Sequence, residues 1–327
     1  MDLITQTMLG TPVWMWAVFL VLVIGLLALD LGVLHRKSHT IGIRESLLMS
    51  AFYIGISVLF AGWIWYQMGE TKALEYLTGF VVEKSLAMDN IFIIAMIFSY
   101  FAIPREFQHR VLLWGILGVI VLRGIMIAAG AAIVENFHWV LYIFAAFLVF
   151  TGIKMLFSKG EEGTLEDNKM LKFLRSHLPV TKELQGEHFI VKQEDPATGK
   201  LKTFVTPLFL ALIMVEGADL VFAVDSIPAV FAITTDTFIV YTSNIFAILG
   251  LRALYFALAA MIHRFAYLKY ALAAVLVFVG SKIFIADMLG IAKIPPMVSL
   301  SVTLGILIAG ILGSLWATRD TKTVQAH

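Results

Sequence analysis

Nine runs of apolar residues, each long enough to cross a bilayer as a helix, partition this chain. They fall at 13–34, 44–66, 74–101, 111–134, 138–157, 204–231, 238–262, 265–286 and 296–317. A hydrocarbon core of about 30 Å takes roughly 20 apolar residues to cross, so the pattern predicts nine transmembrane helices. The one long polar interruption, 158–203, predicts a soluble segment. Within it, Asp167 to His177 reads as a short helix ended by Pro179. His188–Lys192 and Leu201–Val205 flank Asp195-Pro196-Ala197-Thr198-Gly199 as strand, turn and strand. That piece is too small for its own core and is expected to pack on the cytoplasmic face as a connector.

Composition agrees with an all-α polytopic membrane protein. The 327 residues are 60% hydrophobic and 14% charged, against roughly 25% charged in soluble domains. A net charge of +1 points to no nucleic-acid partner, and the absence of cysteine removes disulfides, thiolate metal sites and a thiol nucleophile. Basic residues alternate between the two sides. Arg36, Lys37 and Arg44 follow the first run, Arg105 and Arg110 the third, and eight Lys/Arg the fifth. Arg264 and Lys269 follow the seventh, Arg319 and Lys322 the ninth; the opposite connections hold only Lys72 and Lys293. Positive loops stay in the cytoplasm, so the amino end is expected outside and the carboxyl end inside a lipid bilayer. No Lys or Arg precedes Val13, so the first run reads as a retained span rather than a cleaved signal.

An internal repeat runs through the middle. Tyr142, Ala145, Ala146, Leu148, Val149, Phe150, Gly152 and Lys154 recur 128 residues later as Tyr270, Ala273, Ala274, Leu276, Val277, Phe278, Gly280 and Lys282. Leu122-Arg123 recurs as Leu251-Arg252, and Glu83 with Asp89-Asn90 matches Asp219 with Asp225-Ser226. Three helices form an odd-numbered unit, so the second copy enters the membrane upside down, a device of secondary transporters. The expected parts are a two-helix segment 1–73, a first repeat 74–157, the loop 158–203, a second repeat 204–286, and a last helix with tail 287–327.

Two stretches inside apolar runs carry the candidate chemistry: Glu83 to Asn90, and Glu216 to Pro228. Together they place Glu83, Asp89, Glu216, Asp219 and Asp225 at membrane depth, where one charge costs at least about 2.5 kcal/mol. Glu83 and Asn90 share a helix face, as do Asp219 and Ser226, and Glu216 neighbours Asp219. Pro228 frees the carbonyl of Val224 beside Asp225. The bland alternative is that Lys84, Arg123 and Arg252 pair with these acids as helix glue. Three bases do not neutralise five carboxylates and Asp30, so a cation site at Glu83, Asp89, Asn90, Glu216, Asp219, Asp225 and Ser226 is expected. Oxygen donors suit Mg²⁺, Ca²⁺ or Mn²⁺. All eight histidines fall in connections or at helix ends, which disfavours Zn²⁺ and Cu⁺. Met88 and Met214 are expected to fill packing gaps, and Asn244 either bonds between helices or lines the site.

The segments EKSLAMDN at 83–90 and FAVDSIPA at 222–229, with SNIFAILGLRALYF at 243–256, resemble the TerC family and its Alx-type members. The resemblance implies a bacterial inner-membrane protein linked to manganese efflux, tellurite-resistance loci or alkaline conditions. It implies a Mn²⁺ exporter with Glu83, Asp89, Glu216, Asp219 and Asp225 in the metal path, the ion being cargo and no cofactor being held permanently. Spacing alone does not select manganese. Export of an amino acid or other small solute is the alternative, and the excess of acids argues against it. An intramembrane enzyme is a third class, but Ser85 and Ser226 have no nearby histidine.

Overall fold

A computed structural model describes residues 6–29, 42–157, 168–194, 199, 201–259, 268–291 and 294–317, save the side chains of Asp89 and Arg252. Asp30, Arg36, Lys37, the turn 195–198, Arg264, Lys293, Arg319 and Lys322 lie outside the described residues. The chain is a helical, multi-pass membrane protein. A two-residue hairpin, β1 (Thr7–Met8) and β2 (Thr11–Pro12), leads into α1 (Val13–Leu29) and α2 (Ile43–Met68). Then come α3 (Glu70–Tyr100), α4 (Arg105–Asn136) and α5 (Val140–Phe157). The polar segment holds α6 (Lys169–His177), β3 (Ile190–Glu194) and β4 (Leu201–Val205), followed by α7 (Pro207–Phe231), α8 (Thr237–Ala259), α9 (Leu268–Met288) and α10 (Pro296–Ala317).

Among the described residues, α2, α4, α5, α7, α9 and α10 are long and apolar enough to cross a membrane. Helix α8 makes a seventh if its two parts, Thr237–Leu251 and Ala253–Ala259, count as one span bent by 50°. The other two expected spans differ for physical reasons. Helix α1 has 17 described residues, its run continuing into 30–34, and α3 carries Glu70, Lys72, Glu75, Glu83, Lys84 and Asp89.

Just past the bend in α8, a side chain from α2 enters the helical ladder. The Ser46 hydroxyl of α2 donates to the Ala253 carbonyl and accepts from the Ala257 N–H at 3.0 Å. A hydroxyl inserted into the helical ladder between residues four apart kinks the helix while keeping both groups bonded.

Helix starts follow their local chemistry. Thr206 caps α7 ahead of Pro207 at the first helical position, where a missing N–H costs nothing. Asn168 accepts from the Met170 and Leu171 amides to start α6, two residues later than the sequence predicts. The expected hairpin forms as β3 paired antiparallel with β4, and Arg110 ties Glu187 of this segment to α4 at 2.8 Å. Leu171 is buried, and Met170 lies over Gly217 of α7.

Helices α3, α4, α5, α7, α8 and α9 pack in reciprocal pairs. On α3 and α7, Gly79 meets Val230 and Asn90 meets Asp219, so positions rise on one helix as they fall on the other and the pair is antiparallel. Helices α5 and α9 are antiparallel too. A Cβ at Gly152 would stand 2.8 Å from the Ala273 carbonyl and the Val277 side chain; one at Gly280 would stand 2.6 Å from the Ala145 carbonyl and 2.9 Å from Val149. By contrast α3 runs parallel to α8, with Gly79 at Ser243 and Phe98 at Tyr255. Helix α4 runs parallel to α7, with Gly118 at Glu216 and Gly130 at Phe231. Outside this group, α1 and α2 brace α3 and α8 through an aromatic cluster, in which Trp16 meets Phe238 at 5.0 Å and Phe60 meets Phe246 at 4.8 Å.

Candidate functional site

Three helices, α3, α7 and α8, place polar residues around one side chain, Arg123 of α4. It is 1% exposed. Its Nη2 and Nε donate to the two carboxylate oxygens of Asp219 at 2.9 and 3.1 Å, a bidentate pair. Its Nη1 donates to Glu83 Oε1, to Asn244 Oδ1 at 2.8 Å and to Ser226 Oγ at 3.3 Å. Asn90 Nδ2 donates to Asp219 Oδ1 at 3.3 Å. One guanidinium therefore serves two carboxylates, and the pair of acids with the base leaves one negative charge over.

The arrangement leaves acceptors unused. Among the described residues, Glu83 Oε2 and Asn90 Oδ1 are buried without a hydrogen-bond partner. Buried oxygens of this kind cost free energy unless water or an ion serves them. Beside them lies a cavity of about 270 Å³, lined by Glu83, Asn90, Arg123, Lys154, Asp225 and Ser226 among others. Asp225 enters it from α7, and the Lys154 charge from α5 acts on it.

Glu216 takes a different position. Its carboxylate lies against the backbone of α4, where a Cβ at Gly118 would stand 2.6 Å from both oxygens. Both oxygens are buried and have no hydrogen-bond partner among the described residues. A methyl at 118 would push that carboxylate from its present position.

Of the seven residues expected at the site, Glu83, Asn90, Asp219 and Ser226 meet at Arg123, and Asp225 shares their cavity. Glu216 stands apart on the α4 side, and Asp89 lies on α3 with its side chain outside the described set. Among the described residues, no group of three or more His, Cys, Asp or Glu side chains is arranged to hold a metal ion. The reason is visible: Glu83 and Asp219 are turned onto Arg123. Lys84, read as a partner for the acids, donates instead to the Ala247 carbonyl at 3.2 Å. Asn244 bonds between helices. Met88 and Met214 pack in apolar clusters, as expected.

Sequence reasoning did not assign Lys154 or Thr151 to the site, although Lys154 recurs as Lys282. A repeated lysine inside an apolar run was the signal that could have found it.

Comparison with known proteins agrees with the residues. The chain matches the Integral membrane protein TerC family over residues 68–322. It is 46% identical over 317 residues to a membrane protein of Myxococcus xanthus, covering 97% of this chain and 96% of that one. It is 47% identical over 300 residues to a membrane protein of Rickettsia bellii, covering 92% and 96%. A protein of Escherichia coli named "Putative membrane-bound redox modulator Alx" is 45% identical over 327 residues, covering 97% and 99%. No solved structure matches. With its two acidic motifs joined at Arg123 and a match spanning most of its length, the chain belongs to the TerC family of integral membrane proteins.

Proposed function

We propose that this protein is a secondary transporter exporting a divalent cation, Mn²⁺ by its family resemblance, through the carboxylate-lined cavity between α3 and α7. The observation that carries the reading is the unused acceptor set: Glu83 Oε2 and Asn90 Oδ1, buried without a partner among the described residues, belong to two side chains that line one cavity with Asp225 and Ser226. These are hard oxygen donors of the kind that bind Mg²⁺, Ca²⁺ or Mn²⁺. A structural salt bridge alone has no use for open acceptors next to a cavity.

The reading includes nine spans in a bacterial cytoplasmic membrane, the amino end outside, and an inverted repeat relating α3–α5 to α7–α9. Its support is the reciprocal packing. Gly152 and Gly280, matched in sequence, make matched close contacts across α5 and α9, and the parallel pair α3 with α8 has its counterpart in α7 with α4. A two-fold axis in the membrane plane produces such swaps.

The name of the Escherichia coli relative speaks of redox modulation. This chain has no cysteine, so it performs no thiol–disulfide chemistry of its own. A redox effect would follow here from metal supply.

The deciding experiment is uptake of Mn²⁺ into everted vesicles or liposomes holding only this protein, with Mg²⁺, Ca²⁺ and Zn²⁺ as competitors. Uptake that Mn²⁺ saturates and Zn²⁺ competes with poorly is expected. Rates equal to those of protein-free vesicles for every ion would overturn the reading.

A further inference from the structure

We infer that Arg123 is a tethered substitute for the transported cation: it occupies the carboxylates of the empty carrier and must leave them when the metal binds. The inference rests on the export reading above and goes beyond it by giving a base, not an acid, the role that lets the unloaded protein cross its conformational cycle.

The geometry is that of an occupied site. Arg123 engages Asp219 through two nitrogens and Glu83 through a third contact, all at 1% exposure for the arginine. Those two acids come from the two motifs that converge from opposite repeats. Asn244 and Ser226 accept from the same nitrogen that reaches Glu83, so the guanidinium has a polar seat beyond its charge partners. A divalent ion in this place would need the same oxygens. Because Glu83 and Asp219 already turn inward onto Arg123, no further acid side chain has to be recruited to begin an exchange.

There is also somewhere for the arginine to go. The cavity of about 270 Å³ borders Arg123 directly and carries Asp225. A guanidinium swung from Glu83 and Asp219 toward Asp225 can keep one oxygen of that carboxylate as its partner while the metal takes Glu83, Asp219 and the other oxygen of Asp225. The swap improves the charge balance at Glu83 and Asp219, while the arginine joins Lys154 around Asp225. With Arg123 seated, Glu83 and Asp219 keep one net negative charge; with a divalent ion they are neutral.

An empty carrier without Arg123 would have to move two uncompensated carboxylates through the membrane interior, which is unfavourable. Arg123 thus speeds the return of the empty protein and, by competing for the same oxygens, weakens metal binding. A ligand whose competent state is only partly populated binds more weakly by that fraction.

The test uses the full chain in detergent and in liposomes. Arg123→Gln should bind Mn²⁺ more tightly by about tenfold or more, because the competitor is gone. Net Mn²⁺ efflux should fall, while exchange of internal for external Mn²⁺, which needs no empty-carrier step, should fall much less. The ratio of exchange to net flux should therefore rise by about tenfold. Arg123→Lys keeps the charge but not the bidentate grip, and should shift both readouts the same way by about threefold. It decides the matter if Arg123→Gln does not assemble. Weaker or unchanged Mn²⁺ affinity, or exchange and net flux falling in step, would overturn the inference and leave Arg123 a cross-link between helices. A wild-type protein that moves no Mn²⁺ in either assay overturns the export reading and this inference with it.

Discussion

The five acids should separate by the environment each one occupies, and Asp225 against Asp219 is the sharpest comparison. Asp219 is gripped by Arg123 at 2.9 and 3.1 Å and receives Asn90 at 3.3 Å. Asp219→Asn leaves a buried guanidinium with a single carboxylate partner, Glu83. Breaking a buried ion pair from one side costs about 3–5 kcal/mol. That variant should insert poorly, or unfold at a clearly lower temperature.

Asp225 faces the cavity, and its basic neighbour Lys154 is on another helix across that space. Asp225→Asn keeps shape and oxygen and breaks no direct ion pair of the Arg123 cluster. It should cost under about 1 kcal/mol of stability. Its transport is another matter: the cavity loses a carboxylate, and ligand charge count tunes hard-cation affinity over orders of magnitude. Mn²⁺ uptake at low concentration should fall by about tenfold or more. Uptake into vesicles, normalised to protein, gives the functional half; unfolding followed by the fluorescence of the seven tryptophans gives the structural half. Asp225→Asn with near-normal transport would refute the site. Asp219→Asn as stable as wild type would refute the account of Arg123 as its buried partner.

Two further expectations follow from packing and topology. Gly152→Ala and Gly280→Ala each push a methyl to within 2.8 Å and 2.6 Å of a backbone carbonyl on the facing helix. Each should lower stability by about 1–3 kcal/mol in detergent, with Gly280→Ala at least as costly; two neutral substitutions would contradict the α5 and α9 contact. Because the chain has no cysteine, single introduced ones report cleanly. Lys172→Cys on α6 should react only with reagents that reach the cytoplasm and Thr235→Cys, exposed between α7 and α8, from outside. Labelling of both from one side would contradict the proposed orientation.

Most of the helical layout was readable from the chain, because spanning a bilayer imposes a length and an apolarity that local sequence must meet. The runs at 204–231 and 296–317 became α7 (Pro207–Phe231) and α10 (Pro296–Ala317) nearly residue for residue. The short helix α6 and the hairpin of β3 with β4 were legible as elements, within about two residues at their ends, since helix stops and turns depend on neighbours in sequence. The two acidic stretches were legible as candidates because a charge in an apolar run is costly wherever it ends up. What lay beyond the sequence was pairing. Nothing local says that Arg123 grips Glu83 and Asp219 while Lys84 bonds a backbone carbonyl; both are bases in apolar runs. Nothing local says that Glu216 packs against Gly118 rather than beside Asp219's partner, or that Lys154 reaches the cavity of Asp225. Those choices depend on which helices lie side by side and in what register, and the apolar code is the same for every span. Only the tertiary structure, by bringing residues 83, 123, 219 and 244 into contact, decided which charges became partners and which oxygens stayed open.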